Sequence, residues 1–279
     1  MAKNSNILGI DLGGTTIKYG LVTNRGRLLK SAETPTPKTK SKVVEKLAEI
    51  IIHHRPQISK IGFGIPGQLN LKTGATLPKS LASLPLANLP LLKILKKKFN
   101  LPMKMDNDAN CFTLAEARLG AGKNCRLVVG LTLGTGVGGG LVIDKKIFHG
   151  RGIAGEFGHQ FIDFKKAADL EDFVGARQLK LSAQDYQTLE KQGRQKEKRA
   201  LKFWQKLGLT IGFGCLNIIH TLDPEIIIFG GKQTKAFKLF YPEMIKTINK
   251  YCLTSPPKIV KSNMIDKAGI IGAALLFKS

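Results

Sequence analysis

Two glycine-rich turns, one in each half of the chain, constrain this protein more than any other feature. Gly13-Gly14-Thr15 and Gly134-Thr135-Gly136 each interrupt an apolar, branched run that resumes beyond the turn. Strand, glycine turn and strand make a hairpin signature. Its recurrence gives the halves a weak internal symmetry, with no repeat of short fixed period. Strands are expected at Asn6–Asp11, Ile17–Thr23, Arg27–Glu33, Lys60–Ile65, Arg126–Leu133, Gly139–Ile143 and Glu225–Phe229. Helical periodicity marks Lys42–His54, a basic helix Leu91–Phe99, Ala109–Leu119, a long region 196–222 broken near Gly212-Phe213-Gly214, and a closing helix from Ala268 to Phe277.

The first turn sits in Gly9-Ile10-Asp11-Leu12-Gly13-Gly14-Thr15-Thr16-Ile17-Lys18. A carboxylate ends a strand, two glycines expose backbone N–H groups, and two hydroxyls and an ammonium follow. Amides exposed in a tight turn form a concavity for anions, and Asp11 can hold a hydrated Mg²⁺. Gly-Gly also suits a plain hairpin, but the whole Asp-x-Gly-Gly-Thr-x-x-Lys pattern points to phosphate. It is not a Walker loop, because no Gly-Lys-Ser/Thr opens a helix. Leu133-Gly134-Thr135-Gly136-Val137-Gly138 offers the same chemistry. Read alone, it serves equally as a hairpin with close backbone packing.

Asn107-Asp108 stands at the start of a predicted helix, where free amides and the helix dipole favour an ionised carboxylate. An ordinary cap is the plainer reading of one Asp there. Gly155-Glu156-Phe157-Gly158-His159 sets an acid and an imidazole three apart in a loop, a pattern that accepts hydrogen bonds from hydroxyl-rich ligands. His159 also fits a structural role. Glu171, in Leu170-Glu171-Asp172-Phe173, reads as a site residue or a solvated helix residue.

Composition narrows the class. With 279 residues and 43% hydrophobic content, the chain can bury one large core or two ordinary ones. No apolar run approaches the roughly 18 residues of a membrane span. No secretory leader is recognisable, so a cytoplasmic protein is expected. Cys111, Cys125, Cys215 and Cys252 are scattered and form no CxxC, against disulfides and a thiolate zinc cage. The net charge is +24, divided as +12 on either side of residue 118. A charge so evenly spread reads as a lysine-rich surface and not as a nucleic-acid face.

Taken in order, these segments resemble the ROK family of sugar kinases, within the actin/hexokinase/Hsp70 superfamily. The resemblance runs nearly end to end. It covers Asp11 to Lys18, Gly64-Ile65-Pro66-Gly67, Asn107-Asp108-Ala109-Asn110, Leu133 to Gly140, Gly155 to His159 and Leu170-Glu171. Asp223-Pro224-Glu225, Gly230-Gly231 and Ala268-Gly269-Ile270-Ile271-Gly272-Ala273-Ala274 complete it. The resemblance implies a two-domain actin/hexokinase-like (ribonuclease H-like) α/β fold with an interdomain cleft. Residues 1–118 plus 268–279 would form the smaller domain and 119–267 the larger. ATP and Mg²⁺ would lie at Asp11, Gly13, Gly14, Thr15, Thr16, Lys18, Gly134, Thr135 and Gly136, with Gly230 and Gly231 beside the adenosine. Asp11 would hold the Mg²⁺ through water. Asp108 matches the family's catalytic base. Gly67, Asn107, Glu156, His159 and Glu171 match sugar-binding positions. A homodimer is expected, with sugar and nucleotide as small-molecule partners and no specific nucleic acid.

One departure stands out. The family usually places a zinc-binding cysteine cluster between its Gly-His and Leu-Glu segments. Here Gln160 to Asp169 contains no cysteine and looks shortened, so zinc is not expected. The expected reaction is transfer of the γ-phosphoryl group of ATP to a hexose hydroxyl, O6 of glucose or a related aldohexose. Polyphosphate-dependent glucokinases are similar, also lack the cluster, and would suit the charge. N-acetylhexosamine kinases differ by one sugar substituent. Non-catalytic regulators of the family carry an N-terminal helix-turn-helix, for which the first strand begins too early. The loop over 68–90 is the stretch expected to separate one sugar from another.

Overall fold

The computed structural model describes residues 6–70, 75–77, 86, 88–264 and 266–278. The chain opens with β1 (Asn6–Leu12), β2 (Thr16–Val22) and β3 (Leu28–Pro35), an antiparallel meander, then α1 (Lys40–His54) and β4 (Ile58–Ile65). A small hairpin, β5 (Leu69–Asn70) and β6 (Ala75–Thr76), precedes α2 (Leu91–Lys98), β7 (Met103–Asn107) and α3 (Asp108–Leu119). The second meander is β8 (Leu127–Leu133), β9 (Val137–Ile143) and β10 (Lys146–Ile147). A loop leads to the hairpin β11 (Phe161–Asp163) and β12 (Ala168–Asp169), then α4 (Leu170–Val174), α5 (Ala183–Arg194) and α6 (Lys198–Leu222). Finally come β13 (Ile226–Gly230), α7 (Phe237–Tyr251), β14 (Lys258–Lys261) and α8 (Ala268–Leu275). Most of the expected 68–90 loop (71–74, 78–85 and 87) lies outside the described residues.

The strands form two five-stranded sheets of the same design. One runs β3-β2-β1-β4-β7 and the other β10-β9-β8-β13-β14. In each, an antiparallel meander supplies three strands and two parallel strands extend the far side. This is the doubled arrangement anticipated for an actin/hexokinase-like chain. The parallel strands are covered on both faces and so read as continuous apolar runs: β13 is buried at every position.

Glycines set how closely helices lie on these sheets. Gly9, Gly20 and Gly62 stand side by side in the first. A Cβ at Gly9 would overlap the Ile270 carbonyl, and one at Gly62 the Ala273 carbonyl. That leaves room for α8. In the second sheet Gly130 faces Gly140, and a Cβ on either would overlap the Thr113 hydroxyl of α3. The helices also touch each other, for a Cβ at Gly272 would overlap the Cys111 carbonyl.

One expectation needs correction. Helix α6 is unbroken from Lys198 to Leu222. Its glycines serve packing and do not end the helix. Gly208 lies against the Phe240 carbonyl and Gly212 against Thr247, both on α7. The helix stops at Asp223, whose φ of 46° is left-handed. Helix α7, by contrast, gave no clear sequence signal, because Pro242 lies within it and forgoes one backbone hydrogen bond.

Candidate active site

The two glycine turns face each other across a cleft of about 590 Å³. Gly13 and Gly14 form part of one wall, and Leu133 to Gly138 with Gly231 the other. Each turn closes on itself: Gly13 N–H donates to Thr16 O at 3.0 Å, and Gly134 N–H to Gly136 O at 3.0 Å. The N–H groups of Gly14, Thr15, Thr135 and Gly136 have no protein partner among the described residues. Of these, Gly14, Thr135 and Gly136 line the cleft, and unpaired amides there suit the oxygens of a phosphate chain. Gly134 adds room, since a Cβ there would touch nothing within 4 Å. Gly231 takes a left-handed φ of 86°, and a Cβ would overlap the Leu133 carbonyl. Gly230 does not line the cleft; it packs on the Phe112 ring, where a Cβ would lie 2.5 Å away.

The floor comes from β7 and α3. Asn107, not Asp108, is the N-cap: its Oδ1 accepts from Ala109 N–H at 2.8 Å and Asn110 N–H at 3.2 Å. Its Nδ2 donates to the Gly67 carbonyl at 3.1 Å, so it also ties α3 to the Pro66-Gly67 turn. Asp108 is the first residue of the helix and lines the cleft, with Oδ1 accepting from Ala109 N–H at 2.8 Å. Its carboxyl is held above its ordinary pKa. Burial raises it more than the backbone hydrogen bonds lower it.

Glu156, His159 and Glu171 close the cleft from the second sheet's side. Glu156 is raised by burial, with the His159 charge opposing and Asp108 and Glu171 adding to the rise. Its carboxylate has no protein partner among the described residues. His159 Nδ1 lies 2.8 Å from Asp169 Oδ2 at the end of β12. Burial lowers the imidazole's pKa, but the hydrogen bond and charge of Asp169 bring it above the ordinary value. Glu171 is buried and firmly held. Oε2 accepts from Val137 N–H at 2.8 Å, while Oε1 accepts from Arg177 at 3.1 Å and Gln178 at 2.7 Å. Arg177, Gln178 and Gln233 carried no motif that could have singled them out. Gln233 Nε2 donates to the Gly134 carbonyl at 2.6 Å.

A family model described as the ROK family matches residues 7–279. The chain belongs to the ROK family. An N-acetyl-D-glucosamine kinase of Vibrio cholerae is 32% identical, over 96% of this chain and 98% of its own length. The ROK hexokinase of Thermus thermophilus superposes with a TM-score of 0.85 at 27% identity, covering 97% of each chain. The ROK glucokinase of Streptomyces griseus, solved with glucose and AMPPNP, gives 0.83 at 25%, over 97% of this chain and 98% of its own. The expected fold class stands.

Elsewhere in this ROK chain, the remaining predicted residues lie behind the cleft wall. Asp11, the last residue but one of β1, lies next to Gly269 of α8, and burial, with the Asp108 charge adding and Lys18 opposing, lifts its pKa to about 7. A half-buried carboxylate behind the first turn is a hard oxygen donor, which fits a water-mediated Mg²⁺. Lys18 is ion-paired with Asp266 at 3.0 Å. The pair is exposed and so holds weakly. Thr15, the last residue of the first turn, and Thr16 beyond it are not part of the cleft lining, and Thr15 O accepts from Thr36 N–H at 3.0 Å. Among the described residues, no group of three or more His, Cys, Asp or Glu is placed to hold a metal alone. No helix among them is long and apolar enough to cross a membrane.

Proposed function

We infer that this ROK protein is a carbohydrate kinase that transfers the γ-phosphoryl group of ATP to a hydroxyl of an aldohexose. O6 of glucose or a close relative is the first choice. The observation that carries the reading is Asp108: a carboxyl of raised pKa on the floor of a cleft whose walls are two opposed glycine turns. A base needs a pKa brought toward the working pH, and burial does this here. The amides of Gly14, Thr135 and Gly136 hold the phosphate oxygens and neutralise their charge. Positioning and neutralisation supply most of the rate in such transfers. Mg²⁺, when bound through water at Asp11, adds charge neutralisation on those oxygens. Asp108 orients the acceptor hydroxyl and takes its proton as transfer proceeds. Glu156 accepts from sugar hydroxyls, and His159 is aimed by Asp169 for the same purpose. Glu171, fixed by its three donors, has lone pairs left for one more. The Gly67 backbone and Asn107 bound the sugar's other side.

The division into 1–118 plus 268–279 and 119–267 fits this reading, with α3 and α8 packed between the sheets. An N-acetylhexosamine as acceptor is the second reading, favoured by the Vibrio cholerae relative. Assaying glucose, mannose, N-acetylglucosamine and N-acetylmannosamine against ATP and polyphosphate tests both. Turnover of no sugar with either donor overturns the function, and polyphosphate as the better donor overturns the choice of ATP.

A further inference from the structure

The acceptor side of the cleft is assembled from two sheets. Asn107 closes β7, the edge of the first, and Asp108 opens α3, while Glu156 and His159 lie in the loop beyond β10, the edge of the second. One side-chain contact joins these edges directly beneath the cleft. His149, the second residue after β10, places Nε2 2.7 Å from Oδ2 of Asp106 on β7. Asp106 is only 4% exposed. Its other oxygen accepts from Asn107 N–H at 2.8 Å and Asn110 Nδ2 at 3.0 Å, so it fixes the first turn of α3. The backbone of His149 does the same for the opposite loop. Its carbonyl accepts from Gly152 N–H at 2.7 Å and Ala154 N–H at 3.2 Å. Neither Asp106 nor His149 lines the main cleft. Both border a water-sized side pocket shared with Asn107 and Glu156.

We propose that His149 is a positioning residue for the acceptor: through Asp106 it sets the spacing between the Asn107-Asp108 cap and the Glu156 loop. This rests on the carbohydrate-kinase reading. Displacements of about 1 Å between reacting groups can cost 10²-fold, so a contact that sets their separation bears on acceptor affinity before it bears on the donor.

The test compares wild type with His149→Ala and His149→Gln. Alanine removes the bond, whereas glutamine keeps a donor and drops the ring. The expected result for alanine is a sugar KM raised tenfold or more, with the ATP KM within twofold. Glutamine should recover most of the loss. A sugar KM within twofold of wild type in the alanine variant overturns the proposal. So does an equal rise in both KM values that glutamine fails to correct, which marks a merely structural residue. Amide hydrogen exchange without substrate supplies an independent readout. Alanine should speed exchange in both 107–110 and 150–156, and unchanged exchange in either segment overturns the coupling. Should wild type phosphorylate no sugar, the kinase reading fails and the exchange result alone decides the role of His149.

Discussion

The two glycine turns share a chemistry but not a means of support. The first, at Gly13-Gly14, is a hairpin tip held by its own ring and by one residue beyond β3: the Thr36 hydroxyl donates to Gly13 O at 2.7 Å. The second is braced from behind on several sides. Gln233 and the Ala176 N–H hold the Gly134 carbonyl, the Arg177 N–H holds that of Thr135, and Glu171 takes the Val137 N–H. One turn is thus light and exposed, and the other is fixed into its domain. The same amide geometry can be reached by short-range bonding or by a distant buried carboxylate. Only the short-range route leaves its mark in adjacent sequence.

The largest effect is expected between the turns, where it sets the scale for the rest. Asp108→Asn keeps size but cannot take a proton. Its kcat should fall by about 10²–10⁴, the usual worth of a general base, with sugar binding retained by calorimetry. A loss under tenfold would reduce Asp108 to a structural residue.

Next come the glycines of the braced turn, which separate ligand space from packing. Gly134→Ala points a methyl into open space. The ATP KM should rise tenfold or more, while stability stays within about 0.5 kcal/mol. Gly136→Ala drives a methyl into Glu171 Oε2 and should cost about 1–3 kcal/mol in chemical denaturation, as overpacking does. Equal stabilities in these two variants would erase the distinction.

Glu171→Gln and Thr36→Val then compare the supports themselves. Glutamine at 171 sets an amide against three donors in a buried place, at a cost of about 1–3 kcal/mol. Valine at 36 forgoes a single bond worth about 0.5–1.5 kcal/mol. A larger loss at Thr36 than at Glu171 would make the first turn, and not the second, the more firmly held.

The smallest effect is a fraction of one proton. With a pKa of about 7, Asp11 is mostly protonated at pH 6 and mostly charged at pH 8.5. A cation favours the charged form. Binding of Mg·ATP should therefore release protons at pH 6 and nearly none at pH 8.5, measured by calorimetry in buffers of different ionisation enthalpy. Equal release at both values would remove Asp11 from the metal's surroundings.

What could be read from the sequence follows the same contrast. The turns, their strands, the closing helix and the Asn107-Asp108 helix start were legible because the residues that make them are neighbours in the chain. The Asp106 carboxylate sat in plain view in Asp106-Asn107-Asp108, yet its partner His149 lies 43 residues on and nothing local announces it. The brace of Arg177, Gln178 and Gln233 on the second turn is long-range in the same way, and polar side chains with no motif give no warning. Glycine misled in α6, where its two meanings, helix breaker and close packer, differ only by what stands opposite.

The contact of α8 with α3 has a mechanical consequence. With no side chain between Gly272 and the Cys111 carbonyl, the two backbones meet like a fulcrum and a beam. Sliding across it meets hard repulsion at once, so the contact favours rotation about that point over translation of one sheet past the other. Rotation moves the near parts little and the far parts much. Asp108 lies three residues from the fulcrum, whereas the glycine turns sit at the ends of longer arms. A rotation there would leave the Asp108 carboxyl nearly in place and carry the glycine turns further.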